Sequence, residues 1–133
     1  MSLSNASLLE GATVSASGGT ALDLESRGSE PGRNILFVPA DTDLRTRREI
    51  DCSVSYPRVQ ASAPNGYTQA RRVAFMKFPL ELDNGKVTVN TVKIEMATDV
   101  ETTTSEIQAY SKLAAQVLID ADFSGFFEDL SVA

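Results

Sequence analysis

Nine of the twelve Lys and Arg residues in this 133-residue chain lie between positions 27 and 77: Arg27, Arg33, Arg45, Arg47, Arg48, Arg58, Arg71, Arg72 and Lys77. Five acids share that segment, for a net charge of +4, whereas the remainder carries three basic residues and thirteen acids, a net of −10. A chain with a charge of −6 at pH 7 can therefore still present one basic surface, and cations concentrated in this way suit a polyanion. Catalytic chemistry is poorly supplied. There is no His, which removes the usual general base and the commonest metal ligand. Cys52 and the many hydroxyls have no such base to activate them. Cys52 alternates with Ile50 and Val54 and reads as a small apolar side chain. Asp120 and Asp122 read as a solvated acidic edge, and Gly18-Gly19 and Gly28 as turn residues with no phosphate-loop pattern around them. The chain is not expected to be an enzyme or to hold a metal, a cofactor or a small-molecule substrate.

Elements that could display the cations follow from periodicity. Over the first hundred residues the period is two. Ala12–Ser17 and Thr20–Glu25 flank Gly18-Gly19 and predict an N-terminal hairpin. Residues 27–34 carry Gly, Pro and Asn and read as a loop. Ile35–Val38 is a short apolar strand. From Arg45 to Tyr56 the pattern alternates, with Ile50, Cys52 and Val54 toward a core and Arg47, Glu49, Asp51, Ser53 and Ser55 on the other face, where Arg45 also falls. A polar loop spans Pro57–Gly66. Arg72–Phe78 then places Val73, Phe75 and Lys77 opposite Ala74, Met76 and Phe78, and Pro79 closes the strand. Asp83-Asn84-Gly85 predicts a turn into Val87–Ala97, with Thr91, Lys93 and Glu95 outward and Val92, Ile94 and Met96 inward.

The period changes after residue 100. Thr103-Thr104-Ser105-Glu106 matches a capping box, and Ile107, Tyr110, Leu113, Ala114, Val117 and Leu118 recur at helical spacing. A shorter helical stripe holds Phe123, Phe126, Phe127 and Leu130. The reading is one α+β domain, 1–133. Its antiparallel sheet has about five to seven strands over 1–100 with the hairpin first, and two C-terminal helices lie within 103–130. Two short helices cannot cover such a sheet, so a second copy is expected to add its own, with Tyr110, Leu113, Val117, Phe123, Phe126 and Phe127 buried between subunits. One cysteine rules out an internal disulfide and fits a reducing compartment. The N-terminus carries no secretory pattern, and no apolar run approaches the roughly 20 residues of a membrane span.

On the outward face, Arg45, Arg47, Lys77 and Lys93 with Ser53, Ser55 and Thr91 offer donors to phosphates or bases, and Phe75 a stacking surface. The same residues fit a solvated polar face with Phe75 in a subunit contact, and Glu49, Asp51 and Glu95 oppose phosphate there.

Taken in order, these features resemble the coat proteins of single-stranded RNA bacteriophages, the leviviral family. Three stretches carry the resemblance: Leu24-Glu25-Ser26-Arg27-Gly28-Ser29-Glu30-Pro31, Cys52-Ser53-Val54-Ser55-Tyr56-Pro57 behind the basic Arg45–Arg48, and the Leu/Ala-rich Ser111–Ala121. The resemblance spans essentially the whole chain. It implies intertwined homodimers with one continuous sheet, and an icosahedral shell enclosing single-stranded viral RNA against the inner sheet face. It further implies a hairpin-binding role in translational repression, and a place in the virion after assembly in the bacterial cytoplasm. By position it assigns RNA-facing roles to Ser53, Ser55, Phe75, Lys77, Thr91 and Lys93. The chain departs from the family at Asp51, where a neutral or donor residue is usual, and in the short 79–86 connection, which contains no cysteine. Two other readings are a sheet-faced RNA-binding module that forms small oligomers without a shell, and a small-ligand carrier.

Overall fold

The computed structural model describes residues 3–133. Five strands, β1 Glu25–Glu30, β2 Arg33–Phe37, β3 Glu49–Ser55, β4 Ala70–Glu81 and β5 Val87–Thr98, form one antiparallel sheet in chain order. Two helices follow, α1 Thr104–Ile119 and α2 Ser124–Asp129, separated by a 3₁₀ turn at Ala121–Phe123. This is the α+β order that the change of period predicted. The chain forms two compact units. One comprises the described residues through Gly19 together with Glu101–Ala133; the other is Thr20–Val100.

The first hairpin lies later in the sequence than the Gly-Gly pattern suggested. Gly18 and Gly19 do adopt the positive φ of a turn, +77° and +73°, but residues 12–24 form no strand. Ala12, Val14 and Ala16 offer little apolar surface, and a ribbon of two short strands is marginal without a third. The segment read as a loop is instead the β1–β2 hairpin. Pro31 and Gly32 form its two-residue turn between the paired Glu30 and Arg33. Gly32 has φ +78° and a Cβ there would lie 3.1 Å from the Val54 carbonyl oxygen, so the position requires glycine. Gly28, at φ +114°, sits where the β1–β2 register shifts between Ser26 and Ser29, which is the mark of a bulge. Loop-like composition and strand geometry coexist here because the pairing comes from β3 on the far side, where Val54 N–H donates to Gly32 O at 2.8 Å.

β3 begins at Glu49 and not at Arg45, because residues 44–46 turn. β4 does not stop at Pro79 but runs to Glu81, with Pro79 opposite Val89. The missing proline N–H is tolerated because β3 pairs with β4 only as far as Lys77, so Pro79 lies on a local edge. The capping box forms as predicted. Glu106 N–H donates to Thr103 Oγ1, and Thr103 N–H to Glu106 Oε1. In the helical unit Gln116 is buried, its amide accepting from Leu9 N–H at 2.7 Å and donating to Leu9 O at 2.8 Å.

Apolar burial is scarce. Among the described residues Val38, 2% exposed, is the one buried hydrophobic side chain. Val92, Ile94 and Val54, which the alternation turned inward, remain 39–44% exposed. They do share one face, since Ile50, Met76 and Val92 align across the sheet, as do Val54, Arg72 and Met96.

Candidate nucleic-acid interface

Directly opposed residues of an antiparallel ladder point to the same side, so the registers lay out the other face as rows running across the sheet. One row is Arg33, Ser53, Val73 and Glu95; the next is Ile35, Asp51, Phe75 and Lys93; the third is Phe37, Glu49, Lys77 and Thr91. Ser55 and Arg71 form the start of a fourth. Six of the eight positions singled out for nucleic acid, Ser53, Ser55, Phe75, Lys77, Thr91 and Lys93, therefore lie on one face in adjacent rows.

Arg47 joins them. Its guanidinium carbon stands 4.3 Å over the ring of Phe37, a cation–π contact, and its Nε is buried without a hydrogen-bond partner. Arg45 does not join them. It lies in the 44–46 turn, where its N–H donates to Asp43 Oδ1 and its guanidinium to Gly85 O at 3.2 Å. The strand alternation that placed it beside Arg47 ends before it.

Two cations of the face were hidden by reading 27–34 as a loop, and both are engaged. Arg33 makes a two-pronged pair with Asp51, at 3.0 and 2.5 Å. Arg27 reaches Glu49 at 2.7 Å. Arg71 and Lys93 both approach Glu95, at 3.4 and 3.9 Å. Arg33 is the main reason that the Asp51 carboxyl lies below its ordinary pKa, with a further contribution from the charge of Lys77. The basic segment is thus largely neutralised by acids in neighbouring rows. Among the described residues Lys77 and Arg47 are the cations of this face that form no ion pair. The Lys77 ammonium sits 5.7 Å from the Phe75 ring centroid. The face presents two cations outside ion pairs, hydroxyls at Ser53, Ser55 and Thr91, and two part-buried aromatic rings, Phe37 beneath Arg47 and Phe75 beside Lys77. The cations can hold phosphates loosely and the Phe75 ring a base by stacking.

Of the residues expected between subunits, Tyr110, Leu113 and Val117 recur along α1, Phe123 closes the 3₁₀ turn, and Phe126 and Phe127 lie in α2. Tyr110, Phe126 and Phe127 are exposed, and the last two rings meet edge to face at 5.0 Å.

No protein-family model matches the chain, and no curated protein matches it in sequence. A solved structure does: the virus-like particle of bacteriophage GQ-907 is similar over 99% of this chain and 100% of its own, at 25% identity and a TM-score of 0.88. Five antiparallel strands in chain order, then two helices, superimposable end to end on that particle's subunit, are the fold of a bacteriophage coat protein, as the resemblance to the leviviral family implied.

Proposed function

We propose that this chain is a capsid subunit that assembles as dimers into a shell around single-stranded RNA, with its polar sheet face toward the RNA. The full-length likeness to a virus-like particle subunit carries the capsid reading. Exposed apolar groups support obligate association. Val54, Val92 and Ile94 line one sheet face, and Phe126, Phe127 and Tyr110 the helical unit, at about 1.5–3 kcal/mol for each large side chain fully buried. β5, twelve residues long, pairs with β4 alone. So long an unpaired edge invites a second strand, which fits one sheet continuing from subunit to subunit. The polar face, with Lys77 and Arg47 free and Phe75 beside Lys77, supplies weak, sequence-tolerant contacts suited to enclosing a genome. Asp51, held by Arg33 in the middle row, stands against a hairpin-specific repressor site at this position.

Protein made in bacteria would be fractionated by size with absorbance followed at nucleic-acid and protein wavelengths, and the leading peak imaged by electron microscopy. Uniform spheres carrying nucleic acid are the expected outcome. A dimer-sized species with bound RNA and no particles would refute the shell and leave an RNA-binding module. A dimer free of nucleic acid would refute both roles.

A further inference from the structure

The loop between β3 and β4 is a small structure of its own. Val59 and Tyr67 form a bridge, Thr68 N–H donates to Arg58 O and Gln60 N–H to Gly66 O, each at 2.8 Å, and Asn65 Nδ2 donates to Asp99 Oδ2 at 2.8 Å. Beside it opens a cavity of about 620 Å³, inside the range of about 300–1,000 Å³ typical of sites for small organic groups. Ser55, Arg58, Gln60, Tyr67, Arg71 and Asp99 contribute to its wall. Arg58 and Arg71 thus share the wall with Asp99, and Arg71 also lies 3.4 Å from Glu95. Arg58 is exposed and forms no ion pair among the described residues, and the Tyr67 ring is half exposed. Ser55 and Arg71 are paired across β3 and β4 on the same face as Ser53, Phe75 and Lys77, so the cavity continues the polar face at one end.

We propose that this cavity receives one unstacked nucleotide of the bound RNA, with Tyr67 against the base and Arg58 and Arg71 at the phosphate. The proposal rests on the polar face being the RNA side of the subunit. A base turned out of its strand needs an aromatic plane and a nearby cation, and the wall supplies both. The hydrogen bonds that fix the loop keep Tyr67 in place before RNA arrives, which lowers the ordering cost of binding. Flat rows of Ser and Lys tolerate any strand, whereas a walled cavity admits a single nucleotide and sets where the strand leaves the face.

The test uses the assembled protein's dimer and a fluorescent ten-nucleotide single-stranded RNA, with anisotropy measured from 50 to 200 mM salt. Tyr67→Leu is expected to weaken binding by about 5- to 150-fold, the range of losing one stacked base, while Tyr67→Phe binds as the parent does. Arg58→Ala is expected to lower the salt slope by about 0.7 per site. If Tyr67→Leu and Arg58→Ala bind like the parent while Lys77→Ala does not, the cavity proposal is wrong and the RNA face stands. If the parent protein itself binds no RNA, both fall. If the Tyr67 and Arg58 variants keep RNA binding but lose particles, the cavity seats a neighbouring subunit and the proposal is overturned.

Discussion

Removing a negative charge at Asp51 should make RNA binding stronger and more sensitive to salt. Asp51 holds Arg33 by two contacts, at 3.0 and 2.5 Å, in the row that also contains Phe75 and Lys93. Asp51→Asn keeps the shape of the side chain and releases the guanidinium, which is half exposed and able to reach a phosphate. For single strands each phosphate neutralised adds about 0.7 to the slope of log K against log salt. Lys77 and Arg47, the cations of the rows outside ion pairs, should together contribute about −1.4 to the slope of one protomer, and Asp51→Asn should make the total slope steeper by about 0.7. Each added contact changes the affinity ratio between 50 and 200 mM salt by about 2.6-fold. Lys77→Ala should move the slope by the same amount the other way and weaken binding alike for every sequence. The structural cost is small, because solvent screens a pair with one partner half exposed. Anisotropy titrations of parent, Asp51→Asn and Lys77→Ala dimers on one unstructured RNA would read all three slopes. Identical slopes for the parent and Asp51→Asn would show that Arg33 does not meet RNA and that the rows around it are not the binding surface.

Three further outcomes follow from packing and titration. Leu113→Asp places a charge on the α1 face expected between subunits and should abolish dimers; a normally sized, soluble dimer in sedimentation would place the interface elsewhere. Gly32→Ala meets both a positive φ and the Val54 carbonyl and should destabilise the protein by about 1–2 kcal/mol in urea unfolding followed by circular dichroism, so a parent-like midpoint would contradict the tight turn. Asp41, Asp51 and Glu106 each lie below their ordinary pKa, held chiefly by hydrogen bonds from Arg48, Arg33 and Thr103. Folding therefore lowers their affinity for protons, and their stabilisation is complete above the usual carboxylate range and lost as pH falls through the lowered values. Melting temperature should be insensitive to these groups from about pH 7 to 5 and fall below about pH 4, with a shallower fall in Asp51→Asn; an unchanged profile in that variant would exclude the pair.

Local chemistry was legible in the residues themselves. The switch from period two to helical spacing marked where the sheet ends and α1 begins, and Thr103 with Glu106 marked the cap, because both signals lie within a few residues. Alternation along each strand also sorted Ser53, Ser55, Phe75, Lys77, Thr91 and Lys93 onto one side, since a strand allows its side chains only two directions. What tertiary structure decided was which strands exist and which charges remain free. Residues 12–25 and 25–37 both carry a turn flanked by short segments, yet only the second becomes a hairpin, because β3 lies alongside to pair with it. Arg33 and Lys77 are equally cationic in the sequence, but cross-strand register sets Arg33 on a carboxylate and Lys77 beside a ring. Pairing partners and register join residues distant in the chain, and no local pattern contains them.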